Sequence, residues 1–256
     1  MIDTHCHIDD EAFASDREFV IARQRESGVQ SIVVPGVGVE SVQSVMTVCH
    51  AHPHYCYPAL GLHPEEVKVD WQDKLLALER AIRVHADELV AIGEIGLDYY
   101  WDTSTKDAQK VLFEQHIDLA KQLHKPLVIH DREAHEDVIE ILEEYKPKGI
   151  IHRYSGPVDI LQRAFDIGMY VSFNNDLSYP EWNAAPIACL MVTPWDRLLI
   201  ETDCPYAAPY ERKDERCEAD DVKTVVQMIA ELRGVSEEFV AQKSMENALR
   251  VYEINK

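Results

Sequence analysis

Eight short apolar runs rich in valine and isoleucine recur along the chain, and longer amphipathic segments separate them. The separating segments, such as KLLALERAIRVH and DVIEILEEY, place apolar residues three and four positions apart, which is the spacing of a helix with one buried face. Eight alternating strand and helix units predict a closed parallel (β/α)8 TIM barrel, with a doubly wound open sheet as the less favoured alternative. The apolar runs are MIDTHCHI (1–8), SIVVPGV (31–37), YPALGLHP (57–64), LVAIGEIGLD (89–98), PLVIHDR (126–132), GIIHRYSG (149–156), MYVSF (169–173) and RLLIETDCP (197–205).

The length of 256 residues suits a single barrel of this kind. Two further helical patterns follow the eighth run, in segments 220–234 and 237–252, and we expect them to close the fold. The sequence has no linker, internal repeat or low-complexity tract, so we predict one domain over residues 1–256.

Composition limits where the protein works and what it binds. No apolar run approaches the roughly 18 residues that cross a bilayer, and the start of the chain lacks the pattern of a secretory signal. The six cysteines are scattered without a CxxC pair, so we expect reduced thiols and a cytoplasmic protein without a membrane partner. The formal net charge of -21 would slow the approach of a polyanion, so a phosphate substrate needs local cations or metal ions.

Metal-type side chains stand where the predicted strands end. In a barrel of this class the carboxyl ends of all strands meet at one rim, where chemistry takes place. His5 and His7 point the same way along a strand, while Cys6 points away. Taken singly, each rim residue could be a core histidine, a cap or an ion-pair partner, but six strands delivering such residues to one rim is an improbable coincidence. The rim residues are His5, His7, His63, Glu94, His130, His152, Glu201 and Asp203.

The HAHPH segment provides a contrast, because it is denser in histidine than the first strand. It follows a helical pattern and precedes a strand, which places His50, His52 and His54 on the opposite face of the barrel. We interpret these three residues as surface histidines near a helix end rather than as a functional metal site.

Imidazole and carboxylate ligands together suit zinc, manganese, iron or magnesium, and the lack of a cysteine cluster argues against a structural zinc site. Five or six ligands on one rim favour two metal ions over one. We expect Glu94 to bridge them, since a carboxylate between glycines leaves room for close approach. We expect Asp203 to orient the attacking water and accept its proton.

The order of these motifs resembles the TatD family of metal-dependent deoxyribonucleases, within the amidohydrolase superfamily. The resemblance runs from residue 4 to residue 252, and its most specific motifs are GEIGLDYY and ETDCPY. It implies a barrel, a divalent metal centre and hydrolysis of phosphodiester bonds, commonly from the 3′ end of single-stranded DNA. The motifs that carry it are THCH, GLHP, GEIGLDYY, PLVIHDREA, HRYSG, ETDCPY and NALRVY.

The resemblance also implies roles for residues. Asp203 would be catalytic as well as a ligand, His63 would lie close to the metals and the substrate phosphate, and Arg132 would contact phosphate. The metal ligands it implies are His5, His7, Glu94, His130, His152 and Asp203.

The chain departs from the family pattern mainly around the substrate. The usual HCFSG reads HRYSG here, the RNEP element is only echoed in segment 216–219, and NNDLSYPEW follows the seventh strand. We therefore expect an intact metal centre with an altered substrate rim, in which Arg153, Tyr154 and Glu201 also contact substrate.

Three functions follow from this reasoning. The favoured one is a hydrolase with catalytic residues Asp203 and Glu94, two divalent ions of magnesium, manganese or zinc, and a metal-activated water that cleaves DNA from 3′ to 5′ on single strands. Its partners would be DNA ends or another phosphodiester, with no obligate protein partner. The alternatives are a metal-dependent hydrolase of a small-molecule ester, lactone or amide, and a binding module with a structural metal.

Overall fold

The structure, a computed structural model, describes residues 1–254, so the last two residues of the predicted 1–256 domain lie outside the described residues. Its strands form one sheet in which each strand pairs in parallel with the next along the chain. The strands are β1 Ile2–Asp3, β2 Ser31–Gly36, β3 Cys56–Leu60, β4 Ala91–Asp98, β5 Leu127–Arg132, β6 Gly149–Ile151, β7 Tyr170–Phe173 and β8 Leu198–Ile200.

Helices connect successive strands and cover the outside of the sheet. Seven connect β1 to β8 in turn, and two follow β8, as predicted for segments 220–234 and 237–252. The helices are α1 Arg17–Glu26, α2 Val42–Ala51, α3 Trp71–Val84, α4 Lys106–Leu123, α5 His135–Tyr145, α6 Val158–Asp166, α7 Ala184–Val192, α8 Val222–Arg233 and α9 Glu237–Val251.

The sheet closes between the segments that follow β1 and β8. The backbone N–H of Asp203 donates to the carbonyl of His5 at 2.9 Å, and the N–H of His7 donates to the carbonyl of Cys204 at 2.8 Å. The closing hydrogen bonds thus involve three of the predicted metal ligands. Together with the helical layer, this closure confirms the predicted (β/α)8 TIM barrel.

Each of the eight strands contributes one buried side chain to a layer inside the barrel, near the amino ends of the strands. The C-terminal segment covers this layer with Ala248, Val251 and Tyr252, and the Tyr252 hydroxyl donates to the carbonyl of Thr4 at 2.9 Å. The interior is therefore packed with side chains at its lower end, and only the opposite rim is left for chemistry. The layer consists of Ile2, Val33, Ala59, Ala91, Val128, Ile150, Tyr170 and Leu199.

Several regular strands end earlier than the apolar runs suggest, because rim residues leave the ladder. β6 ends at Ile151 and β8 at Ile200. Beyond these ends, Arg153 has a φ of 45° and Asp203 a φ of 60°, in the left-handed region that non-glycine residues seldom occupy. Such backbone persists only where surrounding contacts hold it, which is common at functional sites.

The glycines near Glu94 let two neighbouring strands pack closely. Gly96 has a φ of 134° and pairs with His130, and a Cβ on it would fall on the carbonyl oxygen of that residue. A Cβ on Gly93 would meet Val128. These glycines allow β4 to lie close against β5.

The histidines of the HAHPH segment lie at the end of α2 and before β3, on the face opposite the rim, as predicted. His50 contacts Glu88 at 2.5 Å, and His52 contacts Glu18 at 3.2 Å. Both contacts lie at the protein surface.

All six cysteines are buried and free, which agrees with the expectation of reduced thiols. Among the helices described within residues 1–254, none combines the length and apolar character needed to cross a bilayer.

Candidate metal centre

Four donor atoms meet from the interior of β4 and from the segments that follow β1 and β8. The Nε2 atoms of His5 and His7 lie 3.1 Å apart. Glu94 Oε2 lies 3.2 Å from the first and 3.6 Å from the second, and Asp203 Oδ1 lies 3.7 and 3.6 Å from them. Cys6 points away from this group, with its sulfur 2.9 Å from that of Cys204. We call His5, His7, Glu94 and Asp203 the first ligand set.

The other carboxylate oxygen of Glu94 faces three imidazoles from neighbouring strands. His63 Nε2 lies 3.2 Å, His130 Nδ1 2.9 Å and His152 Nε2 3.0 Å from Glu94 Oε1. We call these three histidines, with Glu94, the second ligand set. His63 is expected from the sequence to contact substrate, but it lies as close to Glu94 as the predicted ligands do.

Both sets fit divalent metal ions. Four ligands placed tetrahedrally at about 2.1 Å from a zinc ion lie about 3.4 Å from one another. The distances among His5, His7 and Glu94, 3.1 to 3.6 Å, match this spacing, and Asp203 Oδ1 lies 3.6 to 3.7 Å from the two imidazoles. One oxygen of Glu94 thus faces each set.

Partners behind the imidazoles fix which nitrogen faces the centre. His130 Nε2 contacts Asp98 Oδ2 at 2.8 Å, which leaves Nδ1 toward Glu94. His7 Nδ1 contacts the carbonyl of Pro35 at 3.1 Å, which leaves Nε2 free for a metal. Such outer contacts orient a ligand and raise its basicity. Asp98 lies within the GEIGLD motif but is not predictable from it as a partner of His130, because only the register of β4 against β5 brings the two side chains together.

Glu201 lies behind His152 instead of on the accessible side of the rim. It is completely buried, with Oε1 3.3 Å from His152 Nδ1 and Oε2 accepting a hydrogen bond from Ser172 at 2.5 Å. A carboxylate in this position orients His152, which differs from the substrate contact expected from the sequence.

Charges within the centre shift the imidazole pKa values in both directions. Burial alone lowers the pKa of His7, but its contact with Asp203 and the negative charge of Glu94 outweigh burial and raise the pKa to about 9. Against the same effect of burial, carboxylates also raise the pKa values of His130 and His152. The pKa of His5 is lowered by burial and by the charge of His152.

The two carboxylates of the first set stay ionised. Burial tends to raise the pKa values of Glu94 and Asp203, but the surrounding imidazoles lower both, and Arg153 further lowers that of Asp203. Both pKa values fall below their usual range. The centre therefore offers permanent negative charge to a cation, while the raised pKa values of His7, His130 and His152 favour protons there that a metal would displace.

Metal binding at pH 7 should release protons. His7, with a pKa of about 9 in the metal-free protein, is protonated there and must lose a proton before Nε2 can bind metal. Because protonation competes below the pKa, apparent affinity should increase as pH rises toward 9 and level off above it. Calorimetric titration of manganese into chelator-treated protein, in buffers of different ionisation enthalpy, measures the released protons. Release of none at pH 7 would contradict the role of His7.

Removing the carboxylate behind His130 should weaken the centre without emptying it. We expect Asp98→Asn to lower hydrolysis about 10- to 100-fold, since His130 loses the partner that fixes its orientation. The control is Asp137→Asn, which removes a carboxylate bonded to Tyr99 and Lys110 on the same side of the barrel. The metal-dependent hydrolysis rates of the two variants are measured and compared. Equal rates would contradict the role of Asp98 in the metal centre.

Arg153 and Tyr154, which depart from the family pattern, differ in accessibility. The Arg153 guanidinium is partly exposed and contacts Asp203 Oδ2 at 2.8 Å and Asp176 Oδ2 at 2.8 Å. Asp176, which the sequence analysis did not single out, thus holds Arg153 over the centre. Tyr154 is buried and donates its hydroxyl to the carbonyl of Pro157 at 2.7 Å, so the structure places it under the rim rather than on it.

Arg132 lies at the end of β5 and is exposed. Its guanidinium carbon lies 3.9 Å from the centroid of the Tyr100 ring and 5.3 Å from that of Trp101. The cation expected to contact phosphate is therefore at the rim, beside two aromatic rings that the sequence analysis did not assign.

Comparison with known proteins places this geometry in a family. The sequence profile of the family described as TatD related DNase matches residues 2–253. An uncharacterised metal-dependent hydrolase of Bacillus subtilis, YabD, is 36% identical over the whole of both chains. A protein of Pantoea ananatis named 3'-5' ssDNA/RNA exonuclease TatD is 31% identical over 98% of this chain and 99% of its own.

A solved structure supports the same conclusion. The crystal structure of YJJV, a TatD homologue from Escherichia coli, superposes with a TM-score of 0.92 at 27% identity, covering 100% of this chain and 98% of the other. The chain belongs to the TatD family of metal-dependent hydrolases.

Proposed function

We propose that the protein removes nucleotides from the 3′ end of single-stranded DNA by hydrolysis of phosphodiester bonds, and that the chain works as one barrel domain. The observation that carries this proposal is the placement of Glu94, whose two oxygens face two separate sets of ligand atoms at the rim. Paired divalent ions are a recurrent device for in-line displacement at phosphorus.

In this proposal the two ligand sets hold one divalent ion each, with Glu94 shared between them. When bound, such ions supply positive charge to the phosphoryl oxygens and lower the pKa of water. Asp203 orients the attacking water and receives its proton. Its carboxylate stays ionised, and one of its oxygens lies beside the imidazoles of His5 and His7. Arg153, next to Asp203, places a further positive charge where the phosphate arrives.

The name of the Pantoea relative gives the proposal its polarity and its single-stranded substrate. The name of the Bacillus relative states no substrate, so the proposed substrate comes from the name of the Pantoea relative.

A small-molecule ester, lactone or amide is the second candidate, and one cavity favours it. A cavity of about 500 Å³ adjoins His7, and the described residues that line it include no lysine or arginine, although Lys74 pairs with Glu40 and Glu66 at its edge. Its carboxylates would repel a polynucleotide and attract the ammonium group of a small substrate. The acidic residues that line it are Asp9, Asp10, Glu11, Glu40 and Glu66.

The products from a 5′-labelled single-stranded oligonucleotide distinguish the two candidates. Chelator-treated protein should leave it intact, and protein resupplied with magnesium, manganese or zinc should shorten it stepwise from the 3′ end. An intact oligonucleotide under every metal, combined with turnover of an amine-bearing ester, would overturn the nuclease proposal in favour of the second candidate.

A further inference from the structure

We propose that Tyr100 and Trp101 form a stacking platform for the unpaired bases of a single-stranded substrate as it reaches the metal centre. This inference rests on the proposed nuclease function and names the group by which the substrate is held. The platform consists of these two residues with Arg132.

The two rings of the platform keep much of their surface accessible. Tyr100 is 55% exposed and Trp101 is 64% exposed. The rings meet edge to face, with their centroids 4.8 Å apart. A tyrosine and a tryptophan that keep this much surface in water lose much of the free energy that burial would give them, so the surface is available to a planar ligand.

The platform is connected to the metal centre through one carboxylate. Asp98 Oδ1 accepts hydrogen bonds from the backbone N–H groups of Tyr100 at 2.9 Å and Trp101 at 3.2 Å. Asp98 Oδ2 contacts His130 Nε2 at 2.8 Å, and His130 belongs to the second ligand set. The backbone of the platform is thereby fixed next to the centre.

Arg132 gives the platform a cation as well as an aromatic surface. Its guanidinium lies 3.9 Å from the centroid of the Tyr100 ring, a cation–π contact that keeps the charge beside the rings. Among residues 1–254 no carboxylate lies within ion-pair distance of Arg132, whereas Arg153 is held by Asp176 and Asp203. Arg132 is therefore free to contact the phosphate of a nucleotide whose base stacks on the rings.

Charge on the rim directs a polyanion toward this side. The acidic cavity beside His7 lies at the ends of β1 and β2, whereas the platform lies at the ends of β4 and β5. A phosphate backbone is repelled by the first region and meets Arg132 in the second. Stacking is also the contact least impeded by a net charge of -21, because it acts on uncharged bases.

Nucleotides without bases provide the test. The two substrates are oligothymidylate and the same strand with abasic residues near its 3′ end, and KM and kcat are measured for each. Wild-type protein should have the lower KM for the strand with bases. Trp101→Ala and Tyr100→Ala should each raise that KM about 5- to 150-fold, which is the usual effect of losing one stacking ring. Both variants should also reduce the difference in KM between the two substrates, and Trp101→Phe should retain the wild-type difference.

Phe19→Ala is the control, since Phe19 is 68% exposed and lies on α1, outside the ligand sets and the platform. Equal KM values of wild-type protein for the two strands would overturn the platform and leave the nuclease function standing. An equal increase in KM for both strands in Trp101→Ala would also overturn the platform, because Trp101 would then act on the metal centre through Asp98 and not on the bases. Failure of wild-type protein to cleave either strand would instead overturn the nuclease function.

Discussion

Glu94→Gln should lower hydrolysis by roughly 10³-fold or more and reduce the number of tightly bound metal ions per chain. Glu94 is the one side chain shared by the two ligand sets, with Oε2 3.2 Å from His5 and Oε1 3.0 Å from His152. The amide keeps the size of the side chain but removes its charge, so two ions facing the same group would repel each other without compensation. Groups that act as a unit in catalysis commonly give losses of this size when one is removed.

Glu88→Gln is a matched control, because Glu88 also lies between two imidazoles but on the opposite face. Its carboxylate contacts His50 at 2.5 Å and His85 at 2.8 Å, in a position open to solvent. Elemental analysis of both variants after gel filtration gives metal content, and hydrolysis at saturating metal gives the rate. A Glu94→Gln protein with wild-type metal content and rate would disprove the bridging role.

The parts of the structure that the sequence predicts well are those that depend on periodicity. Apolar runs mark strands in any parallel barrel, since both faces of each strand are buried. The alternation of side chains along a strand likewise predicts that His5 and His7 meet, and their Nε2 atoms lie 3.1 Å apart. Chain direction alone decides on which face of the barrel a strand ends. The sequence therefore predicts that His130 lies at the rim and His50 on the opposite face.

The parts that sequence does not predict depend on register and on irregular backbone. Asp98 reaches His130 because β4 pairs with β5 in one register, with a shift between Ile92 and Ile95. Arg153 reaches Asp203 because its backbone turns into the left-handed region. Neither a register shift nor a positive φ has a periodic signal in the sequence, so these contacts emerge only from the folded chain.

The ligand sets and the substrate rim are subject to different physical demands. The ligand sets need donor atoms within a few tenths of an ångström of one spacing, so strand ends supply them and buried partners such as Asp98 and Glu201 hold them. The residues that would meet substrate, Arg132 and Arg153, are exposed or partly exposed and lie where loops begin. Loops tolerate change better than the strands that carry them, so substrate preference can change while the centre stays the same.

Asp203→Asn should leave the fold intact and lower the hydrolysis rate by about 10² to 10⁴-fold, the usual contribution of a positioned proton acceptor. One Asp203 oxygen lies 3.6 Å from His7 Nε2 in the first ligand set, and the other accepts a hydrogen bond from Arg153 at 2.8 Å. Asparagine can still accept from Arg153, so the left-handed backbone at this position keeps its support. The variant loses the negative charge, the site that receives a proton and the oxygen that faces the first ligand set, because the amide NH2 group takes the place of that oxygen.

Single-turnover cleavage at saturating metal separates the two roles of Asp203. If the residue acts as the proton acceptor, the rate stays low at any metal concentration, while the thermal unfolding midpoint stays close to that of wild-type protein. If it acts only as a ligand, excess metal restores the rate, because mass action refills a weakened site. Full restoration would therefore reassign the proton to another group and leave Asp203 as a ligand of the first set.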